Sequence, residues 1–238
     1  MGREEHASEI SLDDVPVMFF NRSPITDWSD ASMLIADADD RLRQGTFWPE
    51  QGLEHGGKLP RTPNDVFFAL YPDPDIARRL GRLVWYLCGK HKLRGRPRPE
   101  RCFHVSLYGL GDYAELPRAA VATIDYAVST VTMPPFTVAF DRVTNFGRGP
   151  RRTLVLVGGD GIAGLQLFQL ELVTALRKIG FAPRREPPYN PHLTLMYYDG
   201  EIADETVQEI RWTVREFVLV RSQYGQGRHL PLARWPLG

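Results

Sequence analysis

Phe103-His104-Val105-Ser106-Leu107 and Pro191-His192-Leu193-Thr194-Leu195 decide how the rest of this 238-residue chain reads. Each sets a histidine, one apolar residue, a hydroxyl residue and a leucine in a row. Successive side chains of an extended strand point to opposite faces. His104 and Ser106 therefore share one face, with Phe103, Val105 and Leu107 on the other. His192 and Thr194 repeat the pattern over Leu193 and Leu195. Two apolar-backed strands thus each offer an imidazole and a hydroxyl side by side.

The surroundings of the two motifs are also repeated. Val66-Phe67-Phe68-Ala69-Leu70 is a short apolar run stopped by Pro72 and Pro74, which predicts a buried strand. Asp73 or Asp75 then caps a helix to about Cys88, with Ile76, Leu80, Leu83, Val84 and Leu87 at helical spacing. A basic loop leads from there to His104. Later, Thr153 to Val157 predicts a strand closed by Gly158-Gly159, and Leu165 to Ile179 an amphipathic helix ended by Gly180. A basic, proline-rich loop then leads to His192. Phe67 to His104 and Val155 to His192 are both 37 residues. A helix over Pro117 to Ser129 and strands over Phe136 to Val143 and Ile210 to Ser222 complete the pattern. The expectation is an α+β fold, a duplicated unit whose equivalent strands line a shared cleft.

Composition narrows the setting. The chain is 43% apolar and 24% charged, as ordinary globular domains are. It holds no apolar run near the ~18 residues of a membrane span. Met1 to Ile10 is charged and lacks an apolar core, so secretion is not expected. Cys88 and Cys102 form neither a disulfide framework nor a metal pair, and Cys102 reads as a packed thiol. A reduced, cytoplasmic monomer without membrane attachment or cofactor is the expectation. Residues 1–60 hold 5 Lys and Arg against 12 Asp and Glu, leaving 24 basic and 17 acidic residues of the 29 of each for 61–238. The first segment reads as an acidic extension and linker, with one short helix opened by Ser29 or Asp30. Residues 61–238 read as the domain that carries both motifs, and its basic balance suits an anionic ligand.

Two histidine–hydroxyl pairs suit phosphodiester cleavage. With an unperturbed pKa of ~6.5, one imidazole can be neutral while another is protonated. The neutral one takes a proton from water, and the protonated one gives a proton to the departing oxygen. Ser106 and Thr194 can donate hydrogen bonds to the non-bridging oxygens. Neither histidine has carboxylates or thiols at ligand spacing, so no metal site is expected. The loop Lys90 to Arg101 has six Lys and Arg among twelve residues. Arg96, Arg98 and Arg101 are its candidates for holding phosphate, and Arg177, Lys178, Arg184 and Arg185 precede the second motif. Tyr71, Tyr189 and Tyr197 are the candidates for stacking on a base, with Tyr108, Phe146 and Tyr198 also available.

The paired His104-Val105-Ser106-Leu107 and His192-Leu193-Thr194-Leu195 resemble the twin signature of the two-histidine (2H) phosphoesterases. Within that superfamily the chain looks most like the bacterial 2′-5′ RNA ligase and RNA 2′,3′-cyclic phosphodiesterase group. The opening Val66 to Leu70, the Pro-Asp step, the following helix and Pro191 are also similar, so the resemblance covers about residues 64–224. It implies a bilobal, pseudo-twofold fold: two mainly antiparallel sheets lining a central groove, helices outside, and both motifs on inner strands. It implies metal-free opening of a 2′,3′-cyclic phosphate to a 2′-phosphate, with His104 as acid, His192 as base, and Ser106 and Thr194 on the phosphate. The reverse direction is ATP-independent 2′-5′ ligation. Where the RNA group often carries an arginine after the second motif, this chain reads Met196-Tyr197-Tyr198. The ligand is then an RNA end, with the basic loop supplying the missing contact, or a small cyclic phosphate or nucleotide. An RNA-binding module without turnover is the remaining reading.

Overall fold

The computed structural model describes residues 64–113, 116–147, 151–181, 188–223 and 226–238. The acidic segment 1–60, its helix after Ser29, and Arg184 and Arg185 lie outside the described residues. The ordered elements are β1 (Asn64–Leu70), α1 (Pro74–His91), β2 (Arg94–Pro97), β3 (Val105–Asp112), α2 (Arg118–Val128), β4 (Phe136–Phe146), β5 (Arg151–Val157), α3 (Ala163–Lys178), β6 (Leu193–Asp199), β7 (Glu205–Val214), β8 (Glu216–Gln223) and β9 (Arg228–Pro236). Single 3-10 turns at Glu100–Cys102 and Asp160–Ile162 precede β3 and α3.

The strands run in the order β7-β4-β5-β6-β3-β1-β8-β9, and every pairing is antiparallel. β3 and β6 touch at one pair, Val105 opposite Leu193. That pair is the seam between two four-stranded halves. The rest of the β6 edge is taken by β2, with Gly95 opposite Tyr198 and Pro97 opposite Met196.

Both long helices reach across the seam. α1 follows β1 but packs under β6 and β7: Cys88 Sγ lies 3.5 Å from Met196 Sδ, and His91 Nε2 lies 2.7 Å from Glu205. α3 follows β5 but reaches the other half, where Phe168 meets Phe217 at 5.1 Å and Gln169 Nε2 donates to the Leu107 carbonyl at 3.4 Å. A continuous core fills the space between helices and sheet. β1 is buried on both faces: Val66, Phe68 and Leu70 enter this core, while Phe67 and Ala69 join Val218, Val220 and Tyr71 in a second apolar cluster. Burial on two faces is why β1 reads as an unbroken apolar run. The second cluster forms an apolar floor on the side of β1 away from the helices, the side that His104 also occupies. Among the described residues no helix is long and apolar enough to cross a membrane.

The repeat has a definite register. Ala69 lies opposite Ser106 and Val155 opposite Thr194, each beside a bulge, at Phe68/Ala69 and at Leu154/Val155. The intervals are 37 and 39 residues, so Ala69, not Phe67, is the counterpart of Val155. The second unit holds two more residues between its paired strands than the first, which the matching intervals in the sequence hide.

Candidate active site at the strand seam

Val105 and Leu193 are fully buried beneath the seam. Neighbours of an antiparallel pair point to the opposite face, residue before against residue after. The seam therefore directs His104 toward Thr194 and His192 toward Ser106. The chain before each histidine runs along the opposite motif strand. Arg98 N–H donates to the Leu195 carbonyl at 3.0 Å, and the Tyr189 hydroxyl donates to the Ser106 carbonyl at 2.9 Å.

Both imidazoles are anchored alike. His104 Nδ1 lies 2.8 Å from the Cys102 carbonyl, and His192 Nδ1 lies 2.8 Å from the Asn190 carbonyl. A carbonyl only accepts, so each Nδ1 carries the hydrogen and donates. Each Nε2 is left able to act as a base when the ring is neutral and as a donor when it is protonated. Among the described residues neither Nε2 has a hydrogen-bond partner. Each ring also packs on a phenylalanine, His104 on Phe67 at 5.1 Å and His192 on Phe146 at 4.8 Å.

The two histidines differ in their surroundings. His104 is 8% exposed. Burial, and then the Arg98 guanidinium, hold its pKa at about 3, against the bond to Cys102 that favours the charged form. His229 and His192 push the same way. His192 and Thr194 are half-buried, and Ser106 is exposed.

Arg98 reaches the stretch that follows the second motif. Its guanidinium lies 5.7 Å from the centre of the Tyr197 ring, and Nη1 donates to the Tyr197 hydroxyl at 3.4 Å. Its charge is felt by His104, Tyr71 and His229. Arg98 Nε is buried without a hydrogen-bond partner among the described residues. Burial of Leu195 and Met196 in succession, beside the bulge, turns Tyr197 to the outer face, 44% exposed.

The other candidates divide. Tyr71 lies beside His104, ring centres 6.1 Å apart. Arg101 Nη2 donates to the Gly227 carbonyl at 3.2 Å, which ties it to the β8–β9 turn. Arg96 is exposed on β2, opposite Tyr197. The Tyr189 hydroxyl is occupied by Ser106, and burial raises its pKa. Tyr198 is 1% exposed and bonded to Asn145, so it is a core residue with no free face for a base. Cys102 is buried, and its thiol donates to the Gly227 carbonyl at 3.1 Å. Among the described residues no three His, Cys, Asp or Glu side chains are grouped to hold a metal ion.

One residue of this cluster was not identified from the sequence. His229, on β9, lies edge-on to His104, with ring centres 4.9 Å apart at 76°. Its Nδ1 is 2.8 Å from the Tyr71 hydroxyl. The signal that could have found it is the Gly-Gln-Gly sequence at 225–227 followed by Leu230 and Leu232 in alternation, a hairpin pattern.

The family model of the 2′-5′ RNA ligase superfamily matches residues 72–226, which include both motifs and stop short of β9. Among solved structures, Escherichia coli LigT complexed with 3′-AMP is similar at 22% identity and a TM-score of 0.59, over 73% of this chain and 98% of that one. The protein TT0787 of Thermus thermophilus gives 18% and 0.57, over 73% and 97%. A phosphoesterase gives 23% and 0.56, over 74% and 98%. At such identities the likeness establishes a common fold. No curated protein matches the chain in sequence. With the family model spanning well over half of the chain and both histidine motifs at one seam, the chain belongs to the 2′-5′ RNA ligase superfamily of 2H phosphoesterases.

Proposed function

We propose that this protein is a metal-independent phosphodiesterase that opens RNA 2′,3′-cyclic phosphate ends to 2′-phosphates. The observation that carries this reading is the pair of histidines anchored alike through Nδ1 on either side of one strand seam. His192 Nε2 takes a proton from water as the water oxygen attacks phosphorus. His104 Nε2 gives a proton to the 3′-oxygen as the phosphorus–O3′ bond breaks, leaving a 2′-phosphate and a 3′-hydroxyl. Ser106 and Thr194 donate to the non-bridging oxygens, where charge accumulates. A 5′-hydroxyl in place of water forms a 2′-5′ linkage in the same geometry.

The burial of His104 sets a condition on its role as acid. In the free protein the ring is neutral, held so by burial and Arg98. A bound phosphodiester places a negative charge between Arg98 and His104, offsets the guanidinium, and favours the proton that His104 must deliver. Arg98 takes the part of the arginine absent after the second motif, and Arg96 and the Tyr197 face extend the contact to a following nucleotide. E. coli LigT, which shares this fold, has been crystallised with 3′-AMP and with phosphate, in keeping with a phosphorylated nucleoside as ligand.

The competing substrate is a small cyclic nucleotide. Measuring kcat/KM in EDTA, for an RNA with a 2′,3′-cyclic end and for a 2′,3′-cyclic mononucleotide, separates the two. Preference for the RNA supports an RNA end as the substrate. Equal or better use of the mononucleotide assigns the site to a small ligand, and RNA binding without turnover of either makes it a binding module.

A further inference from the structure

We propose that His229 is a third histidine of this site: Tyr71 holds its ring by Nδ1 so that Nε2 is presented, beside that of His104, to an oxygen of the bound phosphorylated nucleoside. The inference rests on the phosphodiesterase reading and adds a ligand contact to it.

The C-terminal hairpin brings His229 there. The turn before β9 is pinned to the turn before β3, with Cys102 Sγ and Arg101 Nη2 both donating to the Gly227 carbonyl. His229, two residues on, lies against His104, Phe67 and Tyr71 at 4.9, 5.7 and 6.1 Å between ring centres. With Nδ1 engaged by Tyr71, Nε2 has no partner among the described residues, the same state as Nε2 of His104. An imidazole here is a poor filler for space. It sits beside a second imidazole, and burial, then the field of Arg98 and Arg101, oppose its charged form. An apolar side chain would cover Phe67 without that conflict, though it would leave the Tyr71 hydroxyl without this partner. An anion entering the cluster relieves the conflict. Among the described residues the contact is also one-sided, because the ring packed on His192 is Phe146. His229 therefore marks the His104 side, where the leaving oxygen and its ribose lie. β9 falls outside residues 72–226 matched by the family model, so the match itself carries no information on this contact.

The test uses the full chain with His229→Ala, His229→Gln and Tyr71→Phe, assayed on a 2′,3′-cyclic mononucleotide. Glutamine places an amide nitrogen near the position of Nε2. The expected result is a rise in KM of about tenfold for His229→Ala, recovery to within about threefold for His229→Gln, and an intermediate value for Tyr71→Phe. KM and kcat of His229→Ala within about twofold of the parent, on a folded variant, would overturn the proposal. Titration of the labelled parent with a nucleoside 2′-phosphate, followed by imidazole NMR, is independent of turnover and of variant folding. Shifts at His229 together with His104 support the contact even where no cyclic phosphate is hydrolysed, which would defeat the hydrolase reading alone. Shifts at His104 without His229 overturn the contact, as does an absence of shifts at both rings.

Discussion

His104 and His192 are held by the same bond, from Nδ1 to the carbonyl two residues before each ring, at 2.8 Å in both. The bond fixes the tautomer and leaves both Nε2 atoms without a hydrogen-bond partner among the described residues. His104→Ala and His192→Ala are each expected to lower kcat by about 10²–10⁴-fold, the usual worth of a placed acid or base. Circular dichroism should show both variants folded. A folded variant with more than about half the parent rate would remove that histidine from the chemistry.

The fold disfavours the charged form of His104, from an ordinary 6.5 to about 3, and that of His229 to about 4. Between those values and 6.5 the unfolded state binds more protons than the folded one, so stability rises with pH across that window. Above it both states are neutral and the effect is flat. Tm is therefore expected to fall as pH is lowered from about 6.5 to about 4, and to fall less steeply in His104→Gln. Parallel curves for parent and variant would show that the His104 ring is not held neutral.

Burial and then Arg98 lower the His104 pKa, and among the described residues the buried Arg98 Nε has no hydrogen-bond partner. Arg98→Ala is expected to raise KM by about tenfold through loss of a charge-assisted contact to phosphate. The same change should move the His104 midpoint upward in an NMR titration, though not to its ordinary value, because burial remains. Arg98→Lys keeps the charge but not the planar fork, and should recover the midpoint better than the KM. An unchanged KM in Arg98→Ala would take Arg98 out of the binding site.

Gly95 lets β2 lie on β6. A Cβ at this position would sit 2.5 Å from Tyr198 Cβ and closer still to the Tyr197 carbonyl. Gly95→Ala must push β2 away, at a cost of about 1–3 kcal/mol in stability, and with it Arg98, whose own N–H is bonded to Leu195. The expected signature is a raised KM that is not additive with Arg98→Ala, since both remove one contact. Full additivity would mean that β2 does not position Arg98.

The two motif strands were legible in the sequence because one periodicity governed them. Val105, Leu107, Leu193 and Leu195 are buried, and Ser106 is exposed, as strand parity requires. The helices after β1 and β5 followed from apolar spacing in the same way. β2 was hidden within the basic loop, because Arg94-Gly95-Arg96-Pro97 pairs with one neighbour and keeps its charges in solvent. The single strand expected over Ile210 to Ser222 is two, β7 and β8, which break at Arg215 and enter different halves of the sheet. β9 carries Pro231 and Pro236, poor strand residues tolerated on an edge, and His229 went unnoticed with it. The bulge that turns Tyr197 outward depends on the β5–β6 register, which local pattern does not specify.

The most direct test is a time course of the full-length protein with a 2′,3′-cyclic nucleotide in EDTA, with the isomeric products resolved by chromatography. The expected product is the 2′-phosphate, formed by the parent and lost in His104→Ala and His192→Ala. The 3′-phosphate would reverse the orientation of the site, and no product from either the nucleotide or an RNA with a cyclic end would contradict the assignment of the two histidines to phosphodiester cleavage.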